Sequence, residues 1–93
     1  MITSESIPTG IQPRARLTVY LVDDDAAIRD AISLALSLRG YQIAQFSSAE
    51  GFFDAFDASW AGCVVADIRM PGMSGLQLQS ELAARGSTLP VMI

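Results

Sequence analysis

Two short apolar runs that each break off at aspartate constrain this chain more than any other feature. Leu17-Thr18-Val19-Tyr20-Leu21-Val22 is β-prone, apolar at nearly every position, and stops at Asp23-Asp24-Asp25. Cys63-Val64-Val65-Ala66 is a second such run, preceded by Gly62 and ending at Asp67. A strand with one face in water alternates apolar and polar residues. A strand that is apolar throughout is covered on both faces, as in the middle of a parallel sheet.

The segments between these runs supply the crossovers that a parallel sheet requires. Ala26 to Arg39 reads as a helix with Asp24 or Asp25 as its cap. Ile28, Ala31, Ile32, Ala35 and Leu36 form one apolar face, and Gly40 provides the left-handed end. Tyr41 to Phe46 alternates as a second strand. Ser47 and Glu50 have the spacing of a capping box and open a helix predicted to run to about Ala58, anchored by Phe52, Phe53 and Phe56. Met70 to Gly75 is a loop by composition. Ser74 caps a helix over Leu76 to Arg85 that Gly86 closes, and Leu89 to Ile93 begins a fourth strand. The order strand, helix, strand, helix, strand, helix, strand predicts an α/β, doubly wound parallel sheet with right-handed crossovers.

Residues 1–16 mix Ser, Thr, Pro and Gly without periodicity and are expected to be a flexible leader, leaving 17–93 as one domain. They contain no apolar signal-peptide core, and no stretch of the chain is apolar over membrane-spanning length, so a cytoplasmic protein is expected. The chain has no histidine, which excludes His-based catalysis and the common zinc sites. Its six basic residues are all arginine, scattered, in a chain of net charge −4. Nucleic-acid binding needs clustered positive charge, so this segment is not expected to bind DNA or RNA itself. Cys63 is the single cysteine and reads as a small buried hydrophobe.

Ligands of open α/β sheets bind beyond the carboxyl ends of the strands. Asp23 and Asp24 end the first strand and Asp67 the third, so three carboxylates are expected at one sheet edge although they lie far apart in sequence. Converging carboxylates repel one another, and a hard divalent cation resolves the conflict. Mg²⁺ favours oxygen ligands, takes few of them from protein and keeps waters for an incoming phosphate. Asp25 is read as a helix cap only.

Val22-Asp23-Asp24-Asp25, Ser48-Ala49-Glu50 and Asp67-Ile68-Arg69-Met70-Pro71-Gly72-Met73-Ser74-Gly75 together resemble a bacterial two-component response-regulator receiver, a CheY-like (flavodoxin-like) fold. The wording is closest to the FixJ-like transcription factors, and the resemblance covers Leu17 to Ile93. It implies that Asp67 is the phosphoacceptor, taking a phosphoryl group from a sensor histidine kinase. It implies that Mg²⁺ is held by Asp23, Asp24, Asp67 and the backbone carbonyl of Arg69. The signal would pass to a transcriptional output domain outside this chain, and a second receiver in a homodimer is a further implied partner. On this reading the protein is not an enzyme beyond catalysing its own Mg²⁺-dependent phosphorylation and dephosphorylation.

The family has five strands and five helices, whereas four strands and three helices are expected here. The family's switch Ser/Thr and phosphate-binding Lys follow the fourth and fifth strands, and this sequence contains no lysine. The expectation is therefore a partial receiver, lacking the last helix-strand-helix. Two other functions compete. A non-switching fragment would serve only as a protein–protein interaction module. An aspartate-nucleophile phosphatase would use Asp23 and Asp25 as a D-x-D pair, but Ala27 stands where those enzymes place Thr or Val. A dinucleotide site is disfavoured, because no Gly-rich turn follows the first strand.

Overall fold

The computed structural model describes residues 17–93, and the leader expected over 1–16 lies outside the described residues. Seven elements follow in order: β1 (Thr18–Val22), α1 (Ala26–Ser37), β2 (Gln42–Phe46), α2 (Ala49–Ala55), β3 (Gly62–Ala66), α3 (Gly75–Ala84) and β4 (Val91–Met92). The strands form one sheet in the order β2-β1-β3-β4, with every pairing parallel. β1 and β3 are the two inner strands, the position that their uninterrupted apolar runs predict. The doubly wound α/β architecture is thus present, with four strands and three helices among the described residues.

Alternation along β1 divides the core between the two sheet faces. Tyr20 and Val22 join Val64, Ala66, Phe52 of α2, and Leu78 and Leu82 of α3 in one buried cluster. Tyr20, Phe46, Phe52, Phe53, Phe56 and Trp60 add a continuous aromatic set to it, with Tyr20 and Trp60 stacked at 4.4 Å between centroids. Val19 and Leu21 are equally buried but point to the opposite face, where α1 packs on β1 and β2. No residue of α1 is fully buried.

Local chemistry explains the element ends. Asp25 caps α1, its carboxylate accepting from the Ala27 and Ile28 amides at 2.9 and 3.1 Å. Ser74 and Gln77 form a reciprocal capping box at the start of α3. Two expectations for α2 are corrected. Its cap is Ser48, which accepts from Gly51 N–H at 3.0 Å, so Ser47 and Glu50 do not make the expected box. The helix also ends at Ala55 rather than near Ala58. Phe56 turns to extended backbone, and Asp57 accepts from Ser59 N–H at 2.8 Å in a local turn that competes with another helical turn.

Candidate phosphoacceptor and metal site

The strand register brings the acidic residues together. Val22 pairs with Ala66, so Asp23 and Asp67 are the first residues past the paired segment on adjacent strands. The ladder continues briefly beyond it. Asp67 N–H donates to Val22 O at 2.9 Å, and Asp23 N–H donates to Phe46 O at 3.1 Å. Both aspartates are therefore anchored by backbone bonds to the strand ends before their side chains do anything.

One carboxylate oxygen each from Asp23, Asp24 and Asp67 lies within 4.8 Å of the others. Asp23 is buried, Asp67 half-buried and Asp24 exposed, so the cluster opens to solvent on one side. Asp23 is the one charged residue in the buried set among the described residues, and its Oδ1 accepts from Asp25 N–H at 2.9 Å. Asp67 Oδ1 accepts from Arg69 N–H at 3.3 Å. Arg29 donates at 2.7 Å to the backbone carbonyl of Asp23, bracing the turn without neutralising a carboxylate. Among the described residues the one ion pair is Arg85 with Glu81 on α3, so no cation among those residues is paired with the three acids.

This donor set suits a hard divalent ion. All three side-chain donors are oxygens, their negative charge meets no ion-pair partner among the described residues, and the open side leaves room for water or phosphate. Arg69 lies next to the cluster in sequence and its amide is tied to Asp67, which keeps the 67–69 segment at the cluster. Asp25, read as a cap, is a cap: its side chain serves α1.

The loop after Asp67 is built to lie flat against it. A Cβ on Gly75 would collide with the carbonyl oxygen of Asp67, and Gly75 N–H donates to Ile68 O at 3.3 Å. Only glycine permits the start of α3 to approach the phosphoacceptor candidate so closely. Met70 is buried and anchors the loop from below. Sequence reasoning missed two residues here. Glu50 does not accept from the amides of its own helix start; its carboxylate accepts from Met73 N–H at 3.0 Å, joining α2 to the β3–α3 loop. Arg29 braces the Asp23 turn from α1, and no local sequence signal announces that contact.

Residues 19–93 match the response regulator receiver domain family. The chain belongs to that family. Among its relatives, the transcriptional regulatory protein FixJ of Bradyrhizobium diazoefficiens is 40% identical over 75 residues, covering 81% of this chain and 37% of FixJ. The crystal structure of full-length FixJ from B. japonicum matches with a TM-score of 0.74 at 39% identity, covering 80% of this chain and 36% of that one. TrrA of Thermotoga maritima, solved in complex with Mg²⁺ and BeF, matches with a TM-score of 0.74 at 28% identity, covering 81% of this chain and 65% of that one. The receiver thus spans little more than a third of the FixJ length. It is a response-regulator module of two-component systems with transcriptional regulators among its relatives, and a signalling domain rather than a conventional enzyme. No helix among its described residues is long and apolar enough to cross a membrane.

Proposed function

We propose that this receiver takes a phosphoryl group onto Asp67 from the phosphohistidine of a sensor kinase and passes the signal to a transcriptional output domain. The observation that carries the reading is the convergence of the Asp23, Asp24 and Asp67 carboxylates within 4.8 Å, with no cation among the described residues paired to them. The Mg²⁺–BeF complex of TrrA supports it by analogy of fold and family. In this reading residues 17–93 are the receiver, 1–16 are a leader, and the protein acts in the cytoplasm without itself touching nucleic acid.

The chemistry is chiefly positioning. A carboxylate oxygen of Asp67 forms a bond to phosphorus, the phosphorus–nitrogen bond to the kinase histidine breaks, and its electron pair stays on the imidazole. Phosphoryl transfer runs through a loose transition state, so alignment and charge neutralisation supply most of the rate. Asp23, Asp24, Asp67 and the carbonyl of Arg69 would hold Mg²⁺, which when bound neutralises charge on the transferring oxygens. The Arg69 amide bond to Asp67 Oδ1 limits rotation of the nucleophile and leaves its other oxygen free for attack.

Incubation with acetyl phosphate and Mg²⁺, read by intact mass, tests the assignment. The wild-type chain is expected to gain one phosphoryl group. Asp67→Asn is expected to gain none, and Asp25→Asn to retain most of the labelling. Equal labelling of wild type and Asp67→Asn would remove Asp67 from the role. A wild-type chain that takes no label, yet still captures a kinase or another receiver, would favour an interaction module instead.

A further inference from the structure

Between Asp67 and α3 the chain makes a loop, residues 68–74, that carries the Arg69 carbonyl and closes back on Asp67. Its other hydrogen bonds run to adjoining Asp67 or to α3: Arg69 N–H to Asp67, Ser74 N–H to Gln77, and Gly75 N–H to Ile68 O. Among the described residues, a single hydrogen bond ties this loop to a different element. It runs from Met73 N–H to Oε2 of Glu50, in the first turn of α2 and 23 residues away. The contact is fitted on the other side as well. Gly72 has φ +77, and a Cβ there would lie 2.7 Å from the same Glu50 oxygen.

We propose that Glu50 is a positioning residue for the phosphoacceptor: its carboxylate holds the Gly72–Met73 backbone, and so sets the loop that carries the Arg69 carbonyl beside Asp67. This rests on the reading of Asp67, Asp23 and Asp24 as the phosphoacceptor and metal site. The physical case is one of constraint. Glu50 is exposed and is not consumed by capping its own helix, since Ser48 does that. The bond spans two elements otherwise joined only through the sheet and core. A carboxylate acceptor makes it a charge-assisted bond, stronger than a neutral one. Release of the bond would let residues 71–73 move, and the Arg69 carbonyl with them, while the carboxylate cluster itself stays anchored on β1 and β3.

The test compares Glu50→Ala with Glu50→Gln in the full chain, titrated with Mg²⁺ and followed by ¹⁵N NMR. Both variants lose the same charge, and only Gln keeps an oxygen that can accept from Met73. Mg²⁺ is expected to shift amides around Asp24 and Asp67 in the wild type. Glu50→Ala is expected to weaken that binding roughly threefold to tenfold, the effect of one hydrogen bond of ordinary strength. It should also speed hydrogen exchange at the Met73 amide, while Glu50→Gln recovers part of both.

Glu50→Ala binding Mg²⁺ as tightly as wild type would overturn the positioning role and leave the site intact. Equal weakening by Ala and Gln would overturn it too, by assigning the effect to charge alone. If Mg²⁺ shifts nothing near Asp24 and Asp67 in the wild type, the site reading falls and takes this proposal with it. Circular dichroism melts check that each variant folds; if Glu50→Ala does not, Met73 amide exchange in the wild type and in Glu50→Gln decides. A wild-type Met73 amide that exchanges as fast as an unprotected loop amide would then overturn the proposal.

Discussion

The two faces of the sheet are packed very differently. On one, α2 and α3 bury Phe52, Leu78 and Leu82 completely against Tyr20, Val22 and Val64. On the other, α1 buries none of its residues fully, and Ile28, Leu34 and Leu38 are 45, 62 and 78% exposed. The candidate site draws on both. Asp67 and its loop grow out of the packed side, while Asp23, Asp24 and the bracing Arg29 belong to the β1–α1 connection. The difference teaches that the loop after Asp67 rests on a well-packed support, whereas the two acids beside it share a turn with the less buried helix. Regions with few buried contacts open locally at lower cost.

The largest expected effect tests the packed face. Phe52→Ala removes a fully buried ring that pairs with five other aromatics and is expected to cost about 3–5 kcal/mol. That approaches the whole stability of a small domain, about 5–15 kcal/mol. A urea melt shifted by less than about 1 kcal/mol would show that the two faces are equivalent after all.

Smaller effects are expected across the sheet. Leu36→Ala on half-buried α1 should cost about 1 kcal/mol, and Leu38→Ala, mostly in solvent, less than about 0.5 kcal/mol. The same melts read both. A loss for Leu36→Ala as large as that for Phe52→Ala would break the contrast.

The smallest effect is a pH dependence confined to the packed face. Burial pushes the Tyr20 phenol above its ordinary 10.0, against an opposing contribution from Thr18. The folded state therefore holds the proton more tightly than the unfolded chain. Stability from this group is complete below pH 10 and is lost as pH rises from there through the folded value. Melts in alkaline buffers should show wild type losing stability relative to Tyr20→Phe above pH 10. A constant difference between the two would place the phenol in water.

Much of the fold was open to reading because its signals are local and repeated. The apolar runs of β1 and β3 each lack an alternating polar face, and that alone places them inside a parallel sheet. The helices between them carry caps and Gly ends. The acidic cluster was readable for a related reason: strand ends on one edge of a parallel sheet meet whatever their separation in sequence. Glu50 shows where such reading stops. Its place three residues after Ser47 suggests a capping box, yet the carboxylate turns outward to Met73, a residue no local rule connects with it. The end of α2 is a similar case. Phe53 and Phe56 suggest a longer helix, but a turn at Asp57 ends it.

By itself, then, the sequence determined the α/β class, the parallel direction of the strands and the three acids at one sheet edge, because backbone propensity, apolar period and strand polarity are written residue by residue. Only the tertiary structure decided the use of Glu50, the bracing by Arg29, the approach of Gly75 to Asp67 and the unequal burial of the two faces. Each of these depends on distances between elements, and those distances are set when the sheet and helices pack together, by side chains that no local pattern links.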